Sequence, residues 1–483
     1  MLFSSVIFLL YFLPVVVLLY YTVGRLGIRV RNGLLLIASL VFYAWGEPKN
    51  IILLLLSCLG NYLLGLAAGS EKASDGLRRF GLILAIVLNL GILFVFKYLN
   101  FAVDTLNTLA GRSLLSVSAI ALPLGISFFT FQAMSYVIDV YRRDTPVQKN
   151  PFALALYICL FPQLVAGPIV RYNEIQQQLL CRRENMQQFC GGLCRFILGL
   201  AKKLLLANSM GAIADHIFGV TNLWHTQYLV PASLAWLGSF AYTLQIFLDF
   251  SAYSDMAIGL GGMFGFSFQE NFNYPYISDS VNDFWRRWHI SLTRWFREYL
   301  YFPLGGSRTE NADKTVRNLF IVWLCTGIWH GANWTFILWG MWHFLFSLLE
   351  RLVGFDKWPG KGKVWRHIYL LLVVNFGLVL FRADNLYCFG EYAANMFMAN
   401  GNGFFSPVAL MFLRENWLWF LLSLLVCIPP ETLRGWAERL FGRLHWKLPR
   451  LSALYPPAMV ALFAVCVIYL VRSDYNPFIY FNF

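Results

Sequence analysis

The chain has 483 residues, of which 58% are hydrophobic and only 13% charged, and its formal net charge is +13. Soluble domains carry about 25% charged residues, so this composition excludes an ordinary soluble enzyme or binding module. Apolar runs about twenty residues long recur from end to end and describe a polytopic membrane protein, whose positive balance reflects basic cytoplasmic loops and anionic headgroups rather than nucleic acid.

The first apolar run, Phe3–Val23, is long enough to span, and Arg25, Arg29 and Arg31 follow it, as after a membrane anchor and not as in a cleavable signal. Gly33–Trp45 and Ile51–Gly69 come next, separated by GEPKN, and the loop EKASDGLRRF is again basic. If both basic loops are cytoplasmic, the N-terminus lies outside. Gly81–Tyr98 then returns outward, Asn100–Leu114 is expected at the outer interface, and Ala119–Val140 comes back in. Gly33–Trp45 is short for a crossing, which suggests tilt or local thinning.

Phe152–Val170 is flanked by basic sequence on both sides and holds Pro162, Gly167 and Pro168. A re-entrant element fits this pattern, and such elements are tolerated only within protein or along a cavity. Phe196–Leu206, with its paired lysines, reads as interfacial. Leu229–Phe250 reads as a span, continuing into sequence that carries Asp249 and Asp255 among apolar residues. Gly259, Gly261, Gly262 and Gly265 fit close helix packing and not a nucleotide loop. His367–Phe381, Trp417–Ile428 and Pro456–Val471 complete the crossings, with the basic amphipathic segment Arg434–Arg450 placed in the cytoplasm and the tail RSDYNPFIYFNF outside. Both ends outside require an even number of spans, about ten or twelve. The nine scattered cysteines read as packing residues.

The stretch 284–343 concentrates the chemistry. Taken as one helix at 100° per residue, Trp285 to Tyr299 gathers Trp285, Trp288, His289, Leu292, Trp295, Phe296 and Tyr299 on one face. Arg286, Arg287, Arg294 and Arg297 fall on the other, and Ile290 alone misfits. This predicts an in-plane amphipathic helix whose arginines face anionic lipid or guide a phosphate-bearing donor; positive-inside charge alone is the plainer reading. His330 sits between Asn318–Trp329 and Trp334–Leu349, at Gly331-Ala332-Asn333, which predicts a discontinuous helix or tight helical hairpin. A neutral imidazole there can take a proton from an incoming hydroxyl; the alternative is a structural histidine bonded to a backbone carbonyl. His330 and His343 fall on opposite faces of any one helix, and there is no HExxH, GxSxG or P-loop, so zinc, a serine elbow and a nucleotide cradle are not expected.

At these residues the chain resembles the membrane-bound O-acyltransferase family, in its branch of bacterial exopolysaccharide and cell-wall acetylases. The resemblance covers nearly the whole chain and rests on RNGLLLIASLVFYAWGEP, LPLGISFFTFQAMSYVIDVYRRD, FPQLVAGPIVRY, FLDFSAYSDMAIGLGGMFGFSFQENFNYPY, WRRWHISLTRWFREYLYFPLGG, GIWHGANWTFILWG and the terminal PFIYFNF. The D-alanylation protein of teichoic acid synthesis is a more distant relative.

The resemblance implies an all-α polytopic protein, residues 1–483 forming one integral-membrane domain with the last span and aromatic tail at 454–483. It implies a ring of about 10–12 transmembrane helices, with re-entrant and interfacial helices, around a funnel through a thinned membrane core. His330 would be the catalytic histidine and His289 the second functional one, with Trp329 beside them and Asn333 orienting the ring or polarising a thioester carbonyl. No cofactor or metal is implied. Acetyl-CoA or another acyl thioester would be the donor substrate, at a bacterial plasma membrane. The tail suggests Tyr480 as an acyl relay to a secreted SGNH-type transferase, against the simpler reading of an aromatic belt anchor. D-alanyl transfer from a carrier protein, or a transporter without chemistry of its own, are the competing readings.

Overall fold

The computed structural model describes residues 1–221, 229–307, 312–355, 364–443, 454–473 and 475–477. Among them every regular element is helical. Seven helices among the described residues are long and apolar enough to cross a membrane: Phe8–Leu26, Ile28–Gly46, Ile51–Gly69, Asp75–Ala110, Val364–Arg382, Pro407–Val426 and Tyr455–Arg472. Ile28–Gly46 is a full-length helix, so the short span expected there is lengthened by residues before the apolar run.

The helix Ala232–Met263 is the pole of the molecule. Its 32 residues reach about 48 Å at 1.5 Å per residue, and most of them are buried. One end packs into an aromatic core with Phe3, Phe8, Phe42 and Phe161. The other end joins a second core with Trp285, Trp288, Trp339 and Phe381. The Met186–Ala201 helix lies against it because neither side has a side chain at the crossing. A Cβ at Gly192 would stand 2.5 Å from Gly259 O, and one at Gly259 would stand 2.6 Å from Gly192 O. The glycines thus serve close helix packing, as their sequence context implies.

Two expected interfacial elements are parts of long helices, and one expected span starts late. Asn100–Leu114 is not a separate outer segment, because Asp75–Ala110 is one helix of 36 residues that passes through a π-bulge at Phe94–Tyr98. The span expected from Ala119 begins only at Ile126, after Pro123 and a left-handed Gly125, and is buried from Ile126 to Val140. Phe196–Leu206 is likewise not a separate element. Residues 186–221 form a continuous helical run through a π-bulge at Lys202–Ala207. Lys202 pairs with Asp255 at 2.6 Å and Lys203 with Asp249 at 2.7 Å, so each lysine turns towards the pole helix.

The 151–170 segment takes the path its prolines foreshadow. Pro151–Cys159 is a helix, Leu160 breaks it with ψ 113°, and a single turn Phe161–Leu164 follows. Every residue from Leu156 to Val170 is buried. The ends of the segment come back together, because Gln148 Nε2 donates to the Tyr172 hydroxyl at 2.7 Å and the Tyr157 hydroxyl donates to Val170 O at 3.0 Å. The two ends of the chain also meet. Asn476 Nδ2 donates to Ser4 O at 2.7 Å. Of the basic 434–450 segment, residues up to Arg443 belong to the helix Pro430–Arg443. The remainder, and Tyr480 with the tail beyond Pro477, lie outside the described residues.

Candidate active site

His330 ends the helix Ala312–His330, and Asn333 caps the next, Trp334–Leu352. The two are full-length helices rather than half-length ones, joined by the three-residue turn into a tight hairpin. Glycine again permits the approach: a Cβ at Gly340 would lie 2.5 Å from Trp323 O. Asn333 does not serve the His330 ring. Its Oδ1 accepts from Thr335 N at 3.2 Å and its Nδ2 donates to Asp384 O at 2.8 Å, which is the work of an N-cap.

The last carbonyls of a helix lack intrahelical donors, and here a lysine supplies them. Lys97 Nζ donates to Trp329 O at 2.6 Å and to His330 O at 3.2 Å, and reaches Ser127 Oγ at 3.3 Å. A cation at a helix C-terminus also suits the helix dipole. The π-bulge at Phe94–Tyr98 carries Lys97, and such bulges mark functional sites more often than ordinary helix does.

Trp285–Tyr299 is not one helix. Val281–Arg287 ends at Trp288, which is extended, and Ile290–Phe296 begins after His289, which is left-handed at φ 44°. The backbone of residues 271–273 holds this break open: Ile290 N donates to Asn271 O at 2.9 Å, and Asn273 N to Arg287 O at 2.9 Å. Ile290 misfits the single-helix projection because a new helix starts there. His289 is buried as expected, but at the break and not on a helical face.

Asn271 fixes the His289 ring. Its Oδ1 accepts from the Ser291 backbone N–H at 3.1 Å and lies 3.2 Å from His289 Nδ1. A backbone N–H can only donate, so that atom is the amide oxygen and His289 Nδ1 carries the proton. Nε2 is then the lone-pair nitrogen, and among the described residues it has no hydrogen-bond partner. Replacing Asn271 with alanine is expected to lower transfer about tenfold or more, in line with the loss of a partner that orients a histidine. Asn271→Asp keeps the acceptor and should recover most of the rate in the same assay.

The histidines share an aromatic chain of contacts. His289 and Trp329 have ring centroids 6.0 Å apart, Trp329 and His330 5.0 Å, and His330 and Trp339 4.8 Å. His343 joins through Trp339 at 5.0 Å, and its Nδ1 accepts from Trp285 Nε1 at 3.3 Å. The hairpin brings His343 to the site by folding one helix back on the other, which a single helical projection cannot show.

His330 lines two cavities. One, of about 30 Å³, is aromatic, with Phe250, Trp285, Trp288, Trp339, His343 and Phe381 in its wall. The other, of about 70 Å³, contains Glu47, Lys97, Ser127, Val165 and Trp329. Val165 belongs to the 151–170 segment, so that element does line a cavity. A third cavity, of about 910 Å³, reaches Asn271, Phe272 and Ile290 beside His289. Arg195, Lys202, Asp255 and Glu270 form its charged end and Trp419, Leu422 and Leu462 part of its apolar wall. Within that charged end Arg195 pairs with Asp255 at 2.9 Å.

The four arginines divide. Arg287 pairs with Asp283 at 2.9 Å and Arg294 with Glu174 at 3.0 Å, so both are engaged within the protein. Arg286 and Arg297 are exposed. Among the described residues no group of three or more His, Cys, Asp or Glu side chains could hold a metal ion.

A polytopic helical protein with a histidine between two interior cavities has the layout of a membrane-embedded transferase, and sequence comparison gives its kind. Residues 144–390 match the MBOAT, membrane-bound O-acyltransferase family model. Over the full length of both proteins the chain is 39% identical to the probable alginate O-acetylase AlgI of Pseudomonas putida. It is 46% identical to the probable alginate O-acetylase AlgI of Pseudomonas aeruginosa, over 80% of this chain and 73% of that protein. To the peptidoglycan O-acetyltransferase of Helicobacter pylori it is 36% identical, over 80% of this chain and 78% of that one. The chain belongs to the membrane-bound O-acyltransferase family and is an O-acyltransferase.

Proposed function

We propose that the protein takes an acetyl group from a thioester, acetyl-CoA being the simplest, at the cytoplasmic face of a bacterial plasma membrane and passes it outward for O-acetylation of an envelope polysaccharide. The observation that carries this reading is the position of His330 in the walls of both an aromatic and a polar cavity. A ring so placed can meet a thioester on one side and a hydroxyl on the other. His330 is the general base and His289, with its Nε2 lone pair, the second functional histidine. The exposed Arg286 and Arg297 attract donor phosphates or anionic headgroups.

The tail is the acyl relay in this reading, handing the group to an extracytoplasmic SGNH-type transferase. Its support is the seat of residues 475–477. Lys203, itself paired with the buried Asp249, donates to Pro477 O. Asn208 Nδ2 donates to Tyr475 O at 3.2 Å, and the Tyr475 hydroxyl donates to Asp215 at 2.5 Å. Burial and the Asp215 carboxylate push the Tyr475 phenol above its ordinary range. Asp249 adjoins Phe250, whose ring is 4.7 Å from that of His289. Tyr480 is three residues past Pro477, no more than about 11 Å of extended chain. A phenol with a pKa of ~10 needs a base to attack a thioester at neutral pH, and His330 supplies it.

Peptide mapping after incubation with labelled acetyl-CoA tests the relay. Label on Tyr480, absent in Tyr480→Phe, is expected. His330-dependent thioester cleavage with no label on the tail would leave the tail as a membrane anchor.

A further inference from the structure

We propose that the indole N–H of Trp339 donates the hydrogen bond that holds the thioester carbonyl oxygen during acyl transfer. This rests on the thioester-donor reading above. Trp339 is only 3% exposed, and its Nε1 has no hydrogen-bond partner among the described residues. A buried N–H left unpaired is costly and calls for an explanation. The ring stands edge-on to His330, with centroids 4.8 Å apart and an interplanar angle of 80°, and lines the same aromatic cavity.

Three of the neighbouring donors are already engaged. Trp285 Nε1 donates to His343, Asn333 caps its own helix, and Lys97 sits on the carbonyls of Trp329 and His330. The aromatic cavity suits the acyl group. Its wall of Phe250, Trp285, Trp288, Trp339 and Phe381 rings receives an apolar acyl methyl. The polar cavity with Lys97 and Glu47 is left for the hydroxyl. Trp329 Nε1 is also unpartnered among the described residues, but Trp329 lines that polar cavity.

The step balances without a further reactant. His330 takes the hydroxyl proton as the oxygen attacks the carbonyl carbon and a C–O bond forms. The carbonyl π pair moves onto oxygen, where the Trp339 N–H meets it. Collapse breaks the C–S bond, and the thiolate leaves as thiol with the proton from His330. A donor aimed at that oxygen in a water-poor cavity acts chiefly on the transition state.

Trp339→Phe keeps an aromatic ring and removes the N–H. Its kcat is expected to fall about 10²-fold or more, with KM for acetyl-CoA little changed. A kcat within twofold of wild type would overturn the proposal. Infrared spectroscopy gives a second readout. With ¹³C-carbonyl acetyl-CoA bound to His330→Ala, the carbonyl band should shift below its value in an apolar solvent, and adding Trp339→Phe should reverse the shift. An unshifted band in His330→Ala overturns the Trp339 role while leaving the donor reading intact, and it decides the matter even if Trp339→Phe does not fold. A donor that never binds overturns both.

Discussion

His330→Ala should lose acyl transfer by about 10³-fold or more while the protein still inserts and folds. General acid–base catalysis contributes some 10²–10⁴-fold, and alanine at this site removes the base without touching the Lys97 clamp, which grips backbone carbonyls. The two sides of the hairpin are held by the Gly340 approach and the Asn333 cap, neither of which needs the ring. O-acetylation of the polymer in cells, measured with membrane abundance of the variant, checks this. A transporter with no chemistry would retain much of its function. His289→Ala should be damaging for a different reason, since it takes away the Nε2 lone pair that Asn271 keeps available.

Asp249→Ala should produce the largest stability loss. The Lys203 and Asp249 side chains are 3% and 2% exposed and lie 2.7 Å apart. Removing one partner of a buried pair leaves a charge without compensation and costs about 3–5 kcal/mol. The lysine also loses its hold beside Pro477, so the tail seat is expected to loosen with it. Thermal unfolding in detergent should show a clear drop for Asp249→Ala. Lys203→Met with Asp249→Leu replaces the pair with apolar groups and should recover most of the lost stability. A single variant as stable as wild type would refute the importance of the pair.

The helical hairpin at His330 was legible because Gly-Ala-Asn interrupts two apolar runs. The buried broken segment at 151–170 was legible because Pro and Gly stand between equal flanks. Other features depended on contacts distant in sequence. The periodicity of 285–299 runs through the His289 break, which is set by backbone bonds from residues 271–273; Ile290 was the only local sign of it. Paired lysines at 202–203 looked interfacial because charge is costly in an apolar run, whereas Asp249 and Asp255 compensate them. Those two acidic residues were the available clue. Lys97 carried no periodic signal, since its inward direction follows from a π-bulge. Asn271, Trp339 and His343 became site residues only when the hairpin and pole helix came together. Asn333 adjoins His330 in sequence, yet its amide is consumed by the cap.

The most direct test of the account is release of free CoA thiol by the detergent-purified protein given acetyl-CoA, with wild type and His330→Ala compared at equal folded amounts. Release of thiol up to one equivalent per protein, as the acyl group passes to the tail, is expected of wild type and almost none of the variant. No release by wild type, or equal release by both, would contradict a His330-centred transfer from a thioester.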